Sequence, residues 1–448
     1  MSSGYYSFFG GHMKSFHRAI GAIAVLGIIA GSSSIAMAKT VPQCAPVATA
    51  TCDPQGNPLN PTSPPPLGNK AGTAAPATGA AKVAGTAALV PLTYGLLSTQ
   101  VSQQSGIGNI SDPSLVQMAD GSIRMFFLNG NEQQAGISGY DNLVHSFLST
   151  DNGKTWTLES GVRMTVQSPV SVNVMNGAYE AWGWYHQPGS DQLTHFTSSN
   201  GKDFTSVGSS SPSSSTCKSS TGTAAAHLGD PQIVKVASGY IAYAHDSGSQ
   251  TSPPFTRFVC GMTSTDGTTW TTDAGKTISL STDIQTNPET YRNRSGVIEQ
   301  ILPIDTTAAG GRKVGMQVRT STNDGATWSS LSELSFFAAD PDRLDLANGD
   351  SLLAFGNFDS RKGGLLAVTK KISTKYKASR VTSGLSGVVW TISGAKKTEI
   401  KLKNLCLGTD VTSKAKIAAS GSNFKVTYTD TTASGCVYAV IGSVQAIQ

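Results

Sequence analysis

The feature that most limits what this chain can fold into is a spacing that occurs five times. Asp112-Pro113, Ser168-Pro169, Asp230-Pro231, Asn287-Pro288 and Asp340-Pro341 are each followed, eight residues after the proline, by a glycine: Gly121, Gly177, Gly239, Gly296 and Gly349. Successive copies begin 56, 62, 57 and 53 residues apart. A period of that size holds a supersecondary unit of about four short strands. Most copies read as a hairpin: Leu115 and Val116 precede a turn at Asp120-Gly121, and Ile123 to Phe127 follow it. The copy from Pro288 to Glu299 is more polar and weaker. Only 14% of the 448 residues are charged and 48 are glycine, which suits many short strands joined by turns.

Between successive copies lies a second motif. Ser149-Thr150-Asp151-Asn152-Gly153-Lys154-Thr155-Trp156 has the pattern Ser-x-Asp-x-Gly-x-Thr-Trp, and Ser321 to Trp328 repeats it with Asn323 for the aspartate. Shorter forms run from Ser264 to Trp270 and from Ser198 to Phe204. These stretches resemble the Asp-box, or bacterial neuraminidase repeat, of sialidase-like β-propellers. Asp and Gly build a tight turn, Ser and Thr satisfy its backbone, and the aromatic ring packs beneath it. Asp151, Asp266 and the four aromatics are therefore expected to be structural. The two motifs together predict an all-β chain with a five-bladed β-propeller over 89–374, six blades being the alternative. The fifth unit has no Asp-box and ends near Lys371, so the segment around Leu89 to Leu97 is expected to supply its missing strand. Alternating stretches such as Thr398 to Leu402 and Phe424 to Tyr428 predict a small β domain over 375–448.

The N-terminal region has a different character. Lys14 and Arg18 precede an apolar run from Ala19 to Ala30, and Ala36-Met37-Ala38 gives a small-x-small pattern, so residues 1–38 read as an export signal. A run of about a dozen apolar residues is short for a span of ~20, and no integral membrane segment is expected after cleavage. Residues 39–88, rich in Pro, Ala, Gly and Thr, read as a disordered tether. A secreted or periplasmic location follows. All six cysteines lie beyond the cut, and their even count favours disulfides. Neighbour pairing would join Cys44 to Cys52, Cys217 to Cys260 and Cys406 to Cys436. No CxxC or HExxH spacing occurs, so neither a metal nor another cofactor is expected. The formal charge of +5 falls to +3 without Lys14 and Arg18, too weak and too evenly spread to indicate a nucleic-acid partner.

Chemistry is expected where the unit starts converge. Asp112, Asp230, Glu289 and Asp340 carry or adjoin these starts, and carboxylates gathered in a cleft can divide into acid and base. The competing reading is that Asp before Pro caps a turn, and Asp340 fits that best. The order Asp, Asp, Glu on separate units resembles five-bladed glycoside hydrolases of the arabinanase and invertase kind. That resemblance implies Asp112 as general base or nucleophile, Asp230 as the orienting carboxylate and Glu289 as general acid, although Glu289 follows its proline. A sialidase would need three arginines around the substrate carboxylate. Arg361 resembles the last of these, whereas Arg124 and Arg319 lie inside strands and read as surface charges. Tyr185, His186, His245 and Asp246 fall in loops on the same face and could contact a sugar. A glycan or glycoconjugate is the expected partner, with a cell-envelope or surface protein also possible. A hydrolase and a non-catalytic glycan- or protein-binding module both remain open.

Overall fold

The five turn glycines share one backbone geometry. Gly121, Gly177, Gly239, Gly296 and Gly349 have φ of 86°, 79°, 128°, 78° and 98°, in the region that side chains avoid, which is why glycine recurs at that place in the period. Each closes a hairpin between the first and second strands of one sheet. The computed structural model describes residues 89–448 apart from 102–108, 131–140, 142, 167–168, 188–189, 219–221, 223, 226, 248–257, 279–283, 286–287, 309–310, 335–338, 358–364, 383–387, 405–407, 429–436, 443 and 447–448, together with Thr51–Cys52 and Pro58–Leu59. Among the described residues there is no α-helix, and no helix is long and apolar enough to cross a membrane.

Five antiparallel sheets succeed one another along the chain. The first contains Asn109–Gln117, Ile123–Gly130, Leu143–Ser149 and Thr157–Leu158. The second runs from Val170–Met175 to Thr205–Ser210, and the third from His227–Val236 to Thr271–Thr272. In the fourth, Ile284–Gln285 and Glu289–Arg292 both pair with Ile298–Ala308, and two further strands follow. The fifth holds Ala339–Asp345, Ser351–Asn357 and Leu365–Lys371, with Tyr94–Val101 pairing antiparallel to the last of these. The expected strand near Leu89 to Leu97 thus lies a few residues later.

The first strands of consecutive sheets contact one another, first to second, second to third, third to fourth, fourth to fifth, and fifth to first. Hydrogen bonds cross all five of these junctions, Arg292 Nη2 of the fourth sheet donating to Lys235 O of the third at 2.8 Å. Val172 N donates to Ser114 Oγ at 3.0 Å and Ile233 N to Ser171 Oγ at 3.3 Å. Arg343 N donates to Glu289 Oε1 at 3.2 Å, and Leu115 N to Asp342 Oδ2 at 2.7 Å. Between adjacent sheets lie apolar layers, such as Ile123, Phe127 and Phe147 against Leu352 and Val368. The four Ser-x-Asp-like turns share one device, an Asp or Asn side-chain oxygen that accepts amides of its own turn. In the first, Gly153 N donates to Ser149 Oγ at 2.9 Å, and Lys154 N and Thr155 N donate to Asp151 Oδ1. In the other three, Asp266 and Asn200 each accept two such amides and Asn323 accepts that of Thr327. The Thr155 hydroxyl, which donates to Asp151 Oδ2 at 2.7 Å, and then the Thr155 amide hold the Asp151 carboxyl down at about 2, so the residue is occupied with its own turn, as expected.

Beyond the fifth sheet, two sheets enclose a separate core. Lys377–Thr382, Val388–Ser393, Ala415–Ser420, Asn423–Tyr428 and Val90–Pro91 form one, and Thr409–Asp410, Ile400–Asn404, Val437–Ile441 and Val444–Ala446 the other. Trp390, Ile392, Leu402, Val426, Tyr428 and Ile441 are buried between them. Cys217 and Cys260 form a disulfide, tying the loop before the third sheet to its third strand. Cys44, Cys406 and Cys436 lie outside the described residues.

Candidate functional site

Three first strands carry the same irregularity at their Asp-Pro step. The pairing register slips between Ser111 and Ser114, between Gly229 and Gln232, and between Ala339 and Asp342. At each bulge the aspartate has left-handed φ: 52° at Asp112, 45° at Asp230 and 50° at Asp340. Aspartate tolerates that region better than most side chains, but a following proline disfavours helical backbone in the residue before it, so the conformation is costly. The bulge re-aims the side chain. As a result the carboxylates of Asp112, Asp230 and Asp340 converge: each offers an oxygen, and these oxygens lie within 4.8 Å of one another. All three residues are buried.

Three carboxylates this close require a compensating positive charge, whether a proton, a side chain or a cation. They are the one such set among the described residues that could share a metal ion, and carboxylate oxygens suit hard cations such as Ca²⁺ or Mg²⁺. The expectation of no metal therefore meets a donor set able to hold one. Beside the cluster, His245 Nδ1 lies 3.0 Å from Asp230 Oδ2.

Asp112 and Asp230 are thus brought together as candidate site residues, but their companion is Asp340, which looked most like a turn cap, and not Glu289. The difference is one of register. Glu289 follows its proline, as Ser114 and Asp342 follow theirs, and this position faces the junction between sheets. Glu289 Oε1 accepts Arg343 N from the fifth sheet, while Oε2 is buried with no hydrogen-bond partner. Burial, and then the nearby Asp342 carboxyl, push the Glu289 carboxyl well above the usual range. Asp342 is pushed up to about 8 by burial, against hydrogen bonds from Leu115 N and Ser114 Oγ. Both shifts favour the protonated forms of the pair. Asp342 escaped the sequence reading, although Asp-Pro-Asp at 340–342 puts it at the position equivalent to Glu289.

Other candidates fall differently. His245 is not a loop residue offered to a sugar: it lies in the strand Gly239–Ser247 and is fully buried against Asp230. Tyr185 and His186 lie in Ala178–Gln187, and Asp246 follows His245. Arg361 lies outside the described residues. Arg124 is not a surface charge but is buried, with Nε 2.6 Å from Glu159 Oε2. Arg319 stacks over Trp328 at 4.4 Å and donates to Gln300 Oε1, so neither arginine is placed to clamp a ligand.

No family model and no curated protein matches the chain. Among solved structures, an endo-arabinase from Bacteroides thetaiotaomicron is 14% identical, covering 64% of this chain and 99% of that one, with a TM-score of 0.41. An α-L-arabinanase from Penicillium chrysogenum is 12% identical over 77% and 99%, with a TM-score of 0.41. A protein of unknown function from Dyadobacter fermentans is 11% identical over 77% and 100%, with a TM-score of 0.39. Likenesses of this size carry no functional argument, and the reading below rests on the site.

Proposed function

We propose that the chain is an exported, carbohydrate-directed protein that hydrolyses glycosidic bonds at the centre of a five-bladed β-propeller spanning 89–374. A cleaved signal over 1–38, a tether over 39–88 and a small β domain over 375–448 complete this reading. The observation that carries it is the convergence of Asp112, Asp230 and Asp340 from three separate sheets to within 4.8 Å. Contacts running in a cycle among the first strands support a closed ring, which would leave no open sheet edge.

In this mechanism Asp112 attacks the anomeric carbon or takes the proton of an attacking water. Asp230 and Asp340 place negative charge where an oxocarbenium-like transition state becomes positive. Glu289 faces the fifth sheet, so the proton for the leaving oxygen comes from within the cluster, where crowding of the carboxylates favours one protonated member. Glycans are accordingly the partners, and selectivity for an anionic sugar is not expected without an arginine clamp.

The test is a panel of purified polysaccharides and 4-nitrophenyl glycosides, with binding and released sugar measured on the same samples. Release from at least one member is expected. Binding without release from any of them would replace the hydrolase with a glycan-binding module on the same face.

A further inference from the structure

We propose that His245 is the positioning residue of the carboxylate centre, holding Asp230 in the orientation that brings it to Asp112 and Asp340. This rests on the hydrolytic reading of that centre. Three observations on the third sheet carry it. His245 is completely buried, so its ring acts on protein groups and not on a ligand in solution. Its Nδ1 lies 3.0 Å from Asp230 Oδ2. Its ring also covers the backbone of the residue before that aspartate: a Cβ added at Gly229 would come within 2.7 Å of Cε1 and 3.2 Å of Nε2. Glycine at 229 is what gives the imidazole room beside Asp230.

The repeat provides an internal control. All three bulged strands pair the residue before the aspartate with a partner on the second strand. That pair is Ser111 with Leu128 in the first sheet, Gly229 with His245 in the third, and Ala339 with Gly356 in the fifth. The bulge forms with a leucine or a glycine opposite it, so it does not need an imidazole. The Gly229–His245 pair is an addition specific to Asp230. The imidazole, seated on the bare backbone of Gly229, is a fixed group against which the Asp230 side chain at the bulge can be held.

The test uses the full secreted chain labelled with ¹⁵N-histidine, and compares wild type with Asp230→Asn, Gly229→Ala and His245→Gln. In Asp230→Asn, a near-isosteric change, we expect one imidazole's ring-nitrogen resonances to shift while the others stay, with that signal missing from His245→Gln. Gly229→Ala should move the same signal. On the glycan that the wild type cleaves fastest, His245→Gln should lower kcat about 100-fold with KM little changed, as misplacement of a reacting group does. A purely structural histidine would instead lower the thermal midpoint and leave kcat per folded molecule intact, and that result would overturn the proposal. So would imidazole resonances that ignore Asp230→Asn. If the wild type cleaves no glycan, the hydrolytic reading fails, and the NMR comparison alone decides whether His245 holds Asp230.

Discussion

Replacing Asp342 by asparagine should stabilise this protein, although the carboxylate accepts two hydrogen bonds from the first sheet. Asp342 has its carboxyl pushed up to about 8, chiefly by burial, from an ordinary value of 3.8. In the unfolded chain the group ionises above 3.8, whereas in the fold it stays protonated until pH approaches 8. The unfolded state therefore binds fewer protons over this window, and stability falls as pH rises through it. Over the roughly three units up to pH 7, at about 1.4 kcal/mol per unit, the loss is about 4 kcal/mol. Asparagine cannot ionise and keeps an oxygen for Leu115 N, which donates at 2.7 Å. Its NH₂ brings a donor into a pocket shared with Glu289, at a cost of about 1–3 kcal/mol if unpaired. The expected net gain is about 2 kcal/mol at pH 7 and turns into a loss of about 1–2 kcal/mol at pH 4, where the wild-type carboxyl is neutral in the fold and only about half ionised outside it. Urea unfolding followed by tryptophan fluorescence at pH 4, 5.5, 7 and 8.5 measures this. A variant less stable than wild type at pH 7, with an unchanged pH dependence, would show that Asp342 is ionised in the fold and would refute the reasoning.

Other expectations concern the turns, the disulfide and the C-terminal core. Asp151→Asn should be nearly neutral, because Asn323 accepts the equivalent Thr327 amide at 2.9 Å, whereas Asp151→Ala should lower stability by about 1–2 kcal/mol in thermal unfolding. Cys260→Ser should cost about 2–4 kcal/mol, and peptide mapping without reductant should recover Cys217 and Cys260 in one linked fragment. Trp390→Ala, at a fully buried position between the last two sheets, should cost about 3–5 kcal/mol and be visible as earlier protease cleavage after residue 375.

Much of the architecture was legible because it is written in local chain geometry. A glycine at positive φ eight residues after each proline, and an Asp or Asn gathering the amides of its own turn, leave marks that need no tertiary contact to be seen. The pairing of Cys217 with Cys260 was legible for a similar reason, from an even count and a short loop. The site was less legible because its grouping depends on register between distant strands. Asp340 stands one residue before its proline and Glu289 one residue after its own, and a bulge sends Asp340 toward Asp112 and Asp230 while Glu289 faces the fifth sheet. The bond from Leu115 to Asp342 spans 227 residues, and no local pattern announces it. His245 looked like a lone loop histidine, and only its pairing opposite Gly229 shows that it belongs to Asp230.

The claim at the centre of this account is that the converging aspartates cleave a sugar bond as well as sitting beside one. Its most direct measurement is the rate of reducing-sugar release, set beside affinity for the same glycan, in wild type and in Asp112→Asn. The account predicts release reduced about 10²- to 10⁴-fold with affinity retained, as removal of a catalytic base or nucleophile does. Equal release by the two proteins would contradict it.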